Sequence, residues 1–510
     1  MATTRCYDAD VANAALRDFT VIRNLFQCGF GAILGILLPR DRKCGSSIIR
    51  ARRMTGPVDV VASPPKQLIL GGIELPRPEV RRALVLSFWD GTFAMVMIAL
   101  TETFAIAGAV SLGAPTMAIA LLGSLPLLLG SLGQYFLPAF IDVQHARKAQ
   151  VLVGVGLQSL FLCFAAVTGF VLAPYAAWAF VACIVLAGVS ANVTTASWVS
   201  WMGDLVPYEA RGKHFAWRNR LFAFVNLSCA LSAGVLAANY SSKNAPWTFF
   251  TGLFLIAGTC RAISYQMLRR QYEPPASPAH RDSEWRARPS KEFKTFCLAH
   301  AFVQGAAAMS GPFFNVWYLR DLHFNYLSLS LTSCSTIAGS IVSLPLWSRL
   351  ADHFGERTTL RLAGLLVGIV PLPYLFFSSE SAVWVINAGA GIAWAGYNLV
   401  SFNHMLSASE NKNRARLTAY ASTVTGTVVF SMTLLGGFLA TRLPVLFTWQ
   451  LQSLFLVSAL VRIGTFSFFF PRFHEYAPRA GQNAQELFNQ IPGYRVGLGL
   501  LRNFFRAFRG

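Results

Sequence analysis

Asp90 and Glu102 stand twelve residues apart inside an apolar run from 84 to 107. A charged side chain in such a run costs about 2.5–3.5 kcal/mol to insert into a bilayer, so its presence implies a task or a partner. Among the charged or titratable residues within other apolar runs are Arg261 in 247–268, His300 in 295–319 and Arg462 in 447–470. A carboxylate held out of water without a partner gives up its proton nearer neutral pH than one in water. Asp90 and Glu102 therefore offer proton uptake in one conformation and release in another, or attraction of a cation. Along a helix that starts near Leu84, a rise of about 1.5 Å per residue puts Asp90 about 9 Å in and Glu102 about 27 Å in. At that depth Glu102 has no base matched to it in its own half of the chain, whereas Asp90 lies close enough to one surface to meet water or an Arg. Two readings of Glu102 stand: a coupling carboxylate, or a hydrated one at the outer mouth that attracts cations.

Chemistry of other kinds has no footing. There is no phosphate-cradling glycine loop, no H-E-x-x-H, no G-x-S-x-G and no dinucleotide fingerprint. The nine Cys are spread singly, without metal-ligand spacing, and six of them (Cys163, Cys183, Cys229, Cys260, Cys297 and Cys334) sit in apolar runs as small buried hydrophobes. No enzyme activity, metal or cofactor is expected.

The elements that must position these residues are long apolar helices. Of 510 residues 54% are hydrophobic and only 13% charged, a balance suited to lipid. A bilayer core of about 30 Å needs roughly 20 apolar residues in helical form. Such runs lie near 84–107, 117–140, 149–172, 175–202, 216–238, 247–268, 295–319, 326–348, 359–378, 382–407, 416–440 and 447–470. The expected fold is an all-α integral membrane protein of about twelve transmembrane helices in two six-helix pseudo-repeat bundles. The formal net charge of +20 would suit nucleic acid only if gathered on one face, and here the basic residues alternate with apolar runs. Of the 43 Lys and Arg, 38 lie in the two tails, the loops after even-numbered spans and the helix ends beside them; Lys243, Arg320 and Arg442 lie on the other side, and Arg261 and Arg462 fall deeper within apolar segments. By the positive-inside rule both termini are cytoplasmic, in a plasma membrane of bacterial inner-membrane type.

The chain divides into a basic extension over 1–80, a bundle over 81–270, a linker over 271–294, a second bundle over 295–470 and a basic tail over 471–510. In the extension the apolar patch from Leu25 to Leu38 is too short to span, and Asp8, Asp10 and Arg17 before it do not suit a signal peptide. This segment reads as disordered or interfacial. The linker contains Pro274, Pro275 and Pro278 among charged residues. In the tail, Leu501, Phe504, Phe505 and Phe508 share one helical face and Arg502, Arg506 and Arg509 the other, the pattern of an amphipathic helix on the cytoplasmic membrane surface.

The two bundles echo one another. Asp142 and Arg147 follow the second span with the same spacing that Asp352 and Arg357 keep after the eighth. Arg261 and Arg462 occupy matched positions late in the sixth and twelfth spans. The segment Gly203-Asp204 to Arg211-Gly-Lys213 has a looser echo at Glu410 to Arg414 and Arg416. An Asp at a helix end can pair with an Arg or a helix dipole on a neighbour, closing one side of a two-state bundle. These loops are thus candidate gates, or else plain positive-inside anchors. The duplicated Arg261 and Arg462 belong to the scaffold on this reading, whereas Asp90 and Glu102 are opposed by His300 and Pro312 and are not duplicated.

With Pro345-Leu-Trp-Ser-Arg-Leu-Ala-Asp352-His-Phe-Gly355-Glu-Arg357 and the Gly203–Lys213 loop in view, residues 81–470 resemble the major facilitator superfamily. In the first half His145 stands where the motif has Gly, and Pro138 replaces a small residue. The resemblance implies a secondary active transporter working by alternating access, with gating residues Asp142, Arg147, Asp204, Arg211, Asp352, Gly355, Arg357 and Arg414. In that family the first, fourth, seventh and tenth helices line the cavity, which nominates Asp90, Glu102, Asn192, Thr195, His300, Gln304, Asn315, Asn398 and Asn403. The Asn and Thr residues serve equally as interhelical hydrogen-bonding groups, and His300 reads either as a pathway residue or as a buried structural one. The implied partners are a small solute, a proton gradient and the bilayer, with no nucleic acid and a monomer as the expected state. The competing reading is a facilitator-fold protein that no longer transports and serves as an assembly factor or receptor, which would have no need of Asp90 and Glu102.

Overall fold

The structure, a computed structural model, describes residues 68–69, 73–74, 78–140, 147–170, 175–205, 208–240, 246–274, 289–408 and 414–469. Most of the 1–80 extension, residues 275–288 of the linker and the tail with its amphipathic pattern lie outside these. A two-residue antiparallel ladder, β1 (Leu68–Ile69) with β2 (Ile73–Glu74), precedes the helices.

Among the described residues twelve long helices follow. The first six are α1 (Pro78–Ser111), α2 (Thr116–Phe140), α3 (Arg147–Val167), α4 (Ala176–Leu205), α5 (Tyr208–Tyr240) and α6 (Pro246–Arg270). The second six are α7 (Lys291–Val316), α8 (Tyr326–Phe354), α9 (Glu356–Ile369), α10 (Glu380–Ala408), α11 (Arg414–Leu439) and α12 (Gln450–Phe469). By length and apolar composition ten of them can cross a membrane. The exceptions are α7 and α10, diluted by His300, Gln304, Asn315, Asn387, Asn398 and several Gly. Those side chains suit a helix that faces protein or a cavity better than one that faces lipid.

Local chemistry sets several helix ends. Ser290 caps α7, its Oγ accepting from the Phe293 N–H at 3.1 Å, and Asn325 Oδ1 caps α8 through the Ser328 N–H at 2.8 Å. Gly355 joins α8 to α9 at φ +82°, a left-handed conformation that a side chain disfavours, which is why the loop between Asp352 and Arg357 holds a glycine. Pro371 and Pro373 stop α9 from continuing, and a 3-10 turn over Leu372–Leu375 completes its span.

The helix contacts repeat with a shift of six. In the first half α1 meets α5 and α6, α2 meets α4, and α3 meets α4 and α6; in the second half α7 meets α11 and α12, α8 meets α10, and α9 meets α10 and α12. Across the halves α2 lies against α11, and its symmetry mate α8 against α5. A pseudo-two-fold relation between the halves accounts for every one of these pairings.

One hydrophobic cluster joins the halves, and it lies toward the helix ends remote from the chain termini. It includes Ala118, Ile119 and Phe250 from the first half and Phe313, Trp317 and Leu329 from the second. Tyr326 stacks on Phe249 at 6.2 Å, and Arg320 Nη2 donates to the Ala114 carbonyl at 2.8 Å. Toward the tail-side ends the clusters are separate: one around Trp201, Met202 and Leu268 belongs to the first half, and two around Trp347 with Tyr397 and Phe293 with Leu417 belong to the second.

The α8/α10 crossing rests on glycines. A Cβ at Gly339 would strike the Ala388 carbonyl, and one at Gly391 the Thr336 carbonyl. Backbones this close let Ser340 Oγ donate to the Gly391 carbonyl at 3.0 Å and Trp347 Nε1 to the Ile392 carbonyl at 2.8 Å. Gly391→Val is expected to destabilise the protein by about 1–3 kcal/mol, since backbone cannot yield as a side chain would. Gly389→Ala, where a Cβ meets open space, serves as the control. Thermal unfolding of the two purified variants in one detergent measures the difference, and equal melting would contradict the tight crossing.

Candidate functional site

In the first half the carboxylate of Asp90 is buried between α1 and α6, accepting a hydrogen bond from Ser264 Oγ at 2.5 Å. Ser264 in turn accepts from Arg261 Nη1 at 3.0 Å, and Arg261 Nε donates to Gln158 Oε1 of α3 at 2.7 Å. The serine hydroxyl thus bridges base and acid. Arg218 of α5 also acts on Asp90 electrostatically, with its guanidinium over the rings of Trp198 and Phe222 at 4.9 and 4.8 Å. The sequence assigned Arg261 to the scaffold, with an acid near the cytoplasmic end as its partner, and the structure brings it into one charged cluster with Asp90 through Ser264. Arg218 was missed because it sits among the basic residues at the start of the fifth span, which read together as membrane anchors.

This cluster borders a cavity of about 620 Å³ that is also lined by Glu102, Asn192 and Thr195. Glu102 is exposed to that cavity, and among the described residues it has no hydrogen-bond or ion-pair partner. Asn192 Nδ2 donates to the Gly188 carbonyl at 2.9 Å, and Thr195 Oγ1 to the Ala191 carbonyl at 3.0 Å, each within α4. Gln134 Nε2 of α2 reaches the Asn192 carbonyl at 2.5 Å.

The second half contributes a cavity of about 670 Å³, lined by Gln304, Asn315, Tyr318, Thr336, Asn387 and Arg462 among others. Leu127 of α2 lines both cavities, so the two adjoin. Asn387 Nδ2 donates to Tyr318 Oη at 3.1 Å and its Oδ1 accepts from Thr336 Oγ1 at 3.3 Å. No sequence signal separated these three from the many other hydroxyls and amides of the spans.

Other nominated residues lie elsewhere. His300 is inside the second bundle, its Nδ1 3.1 Å from Tyr397 Oη and its ring stacked on Tyr397 at 5.7 Å, in a small separate pocket with Leu360 and Phe466. Asn398 is exposed and Asn403 half-buried, and neither lines the two large cavities.

At the tail-side ends Arg147 is buried. Its Nη2 donates to the Pro274 carbonyl at 3.0 Å, its Nη1 lies 3.3 Å from Ser200 Oγ, and its Nε faces Glu273 at 3.7 Å. In the matching place of the second half, Asp352 is exposed at the end of α8 and Arg357 is half-buried in α9. Between them Glu356 faces His404 of α10 at 3.2 Å. Asp142 lies outside the described residues. Asp204, Arg211 and Arg414 fall in α4, α5 and α11, and their side chains lie outside the described set.

The family model described as Major Facilitator Superfamily matches residues 296–507. No curated protein matches the chain by sequence. Among solved structures, a bacterial homologue of the iron transporter ferroportin in an inward-facing state is similar with a TM-score of 0.59 and 15% identity, covering 77% of this chain and 98% of its own. A bacterial homologue of the human lysosomal transporter Spinster, also inward-facing, gives 0.57 and 14% over 79% of this chain and 100% of its own. A D-xylose–proton symporter gives 0.58 and 14% over 79% and 99%.

Proposed function

We propose that this multi-pass membrane protein belongs to the major facilitator superfamily and is a secondary active transporter that moves a small solute by alternating access and couples the movement to protons. The observation that carries this reading is Glu102, a carboxylate at membrane depth that faces a cavity and has no partner among the described residues. A fixed, unpaired charge in that position is expensive, whereas a carboxyl that takes up and releases a proton as the cavity changes sides is not. A proton-coupled sugar transporter among the structural relatives supports the coupling.

With both tails cytoplasmic, as the distribution of Lys and Arg suggests, the joined helix ends are outer and the separate ones inner. The described conformation is then inward-facing. A non-transporting receptor or assembly factor is disfavoured by the two adjoining cavities and by the intact Asp90–Ser264–Arg261 cluster. The test is reconstitution of the purified chain in liposomes and a screen of labelled solutes with and without an imposed pH gradient. Accumulation that requires the gradient supports the reading, and a library that yields neither uptake nor exchange refutes it.

On the same reading Asp352 and Arg357 set the balance between states rather than solute recognition, because they lie at the α8/α9 junction and line neither cavity. Asp352→Asn should change turnover by about fivefold, the effect of ~1 kcal/mol at a helix end, with solute affinity unchanged. Unaltered turnover together with weakened binding would place Asp352 in recognition instead.

A further inference from the structure

The pseudo-repeat gives Arg261 and Arg462 the same place, and their surroundings differ in a way that specifies a ligand. Around Arg261 stand Gln158, Ser264 and Asp90. Carried across by the loop-motif register, Gly368 stands where Gln158 would be, and His300 where Asp90 would be. Thr465, which matches Ser264 three residues after its Arg, turns its hydroxyl to the Val461 carbonyl of its own helix at 2.8 Å. Every group that serves Arg261 is therefore missing or diverted at Arg462.

Arg462 is nonetheless only 2% exposed. Its Nη1 donates to the Val367 carbonyl at 3.1 Å, its Nη2 to Ser310 Oγ at 3.1 Å and, at 3.4 Å, to the Ala307 carbonyl, and its Nε has no partner among the described residues. All its partners are neutral. A buried guanidinium without a carboxylate is costly, and the deficit is removed when an anion arrives. Arg462 lines the second cavity, and the amides of Gln304 and Asn315 on the same wall have no hydrogen-bond partner among the described residues.

We infer that the transported solute is an organic anion whose carboxylate or phosphate group docks on Arg462, with hydroxyl or carbonyl groups beside it meeting Gln304 and Asn315. The inference rests on the transport reading of the chain. It divides the labour between the halves: the first half carries the proton on Glu102, and the second holds the anion. A proton and a monoanion moving together leave the cavity with no net change in charge, so the loaded carrier crosses between states without carrying charge through the apolar seam.

The test uses the full chain purified in detergent and follows thermal unfolding against gluconate and glucose, and against glycerol 3-phosphate and glycerol, at millimolar concentration. At least one anion should raise the melting temperature while its neutral counterpart does not, and whichever pair responds separates the carboxylate from the phosphate case. Arg462→Gln should weaken the response about 30-fold or more, as loss of one partner of a buried charged pair does. Arg462→Lys, which keeps the charge and the fold if the glutamine variant does not, should weaken it less. Equal protection by the neutral compounds, no protection by either anion, or an undiminished response in both Arg462 variants would overturn the inference. A neutral or cationic solute accumulated by reconstituted wild type and by Arg462→Lys alike would also overturn it, leaving the transport reading standing. Protection by an anion in a protein that moves no solute at all would do the reverse.

Discussion

Glu102→Gln should abolish gradient-driven accumulation of solute while leaving exchange across the membrane within a few-fold of wild type. Glutamine keeps the size and hydrogen-bonding reach of the protonated acid and removes the proton it exchanges. Each pH unit of gradient stores about 1.4 kcal/mol per proton, so a carrier coupled to one proton sustains about a tenfold concentration ratio per unit. In the variant that ratio should fall to one at any gradient. The expectation rests on Glu102 facing the first cavity with no partner among the described residues, so that nothing else on the wall would fix its charge. Were Glu102 only an attractor for cations, the substitution would weaken their binding and leave accumulation dependent on pH as before. Flux measured at several imposed gradients separates the two, and accumulation that survives removes Glu102 from the mechanism.

Asp90→Ala should be costly in a different currency. Ser264 and Arg261 are arranged around this carboxylate, and Arg218 lies in its field. Removing it leaves two guanidinium groups at membrane depth with less compensation, a change that in buried pairs costs about 3–5 kcal/mol. Thermal unfolding in a single detergent should show the loss, and the double variant with Arg261→Leu should recover part of it, because the charge that needed the acid is gone too. Melting of Asp90→Ala equal to wild type would mean that Asp90 holds no structural charge balance and belongs with Glu102 among the proton-exchanging groups.

The helices were legible because apolar length is a one-dimensional signal. The runs ending in charged or Pro-rich loops correspond to the twelve helices, with differences at the ends. The eighth run was read to 348, while α8 continues to Phe354, since its last turn is polar and leaves the apolar pattern before it leaves the helix. The ninth was read as one span, and a helix and a 3-10 turn on either side of Pro371 together supply it, a break that apolar length does not register. Duplication of Arg261 and Arg462 was legible from spacing, and the absence of a second Asp90 was too. What could not be read was partnership. Ser264 is one of many serines until α1 and α6 bring it to Asp90, and Arg218 looks like a membrane anchor at a span's start until its guanidinium is seen over the rings of Trp198 and Phe222. His300 carried two readings because depth along a helix does not tell which neighbour fills the space beside it; Tyr397 does.

The apolar seam between the halves has a thermal consequence. To open that end, Ile119, Phe250, Phe313 and Trp317, all buried there, must part from the neighbours that now join the two halves, and water that meets apolar surface takes up heat capacity. In the proposed alternating cycle the tail-side end would close in exchange, and the sequence there is rich in Arg, Lys and Asp, whose burial does not return that heat capacity. The two conformations of the proposed cycle should therefore differ in heat capacity as well as in shape. The ratio between them should bend with temperature rather than follow a straight van't Hoff line, making the carrier's resting side a property of the temperature at which its membrane works.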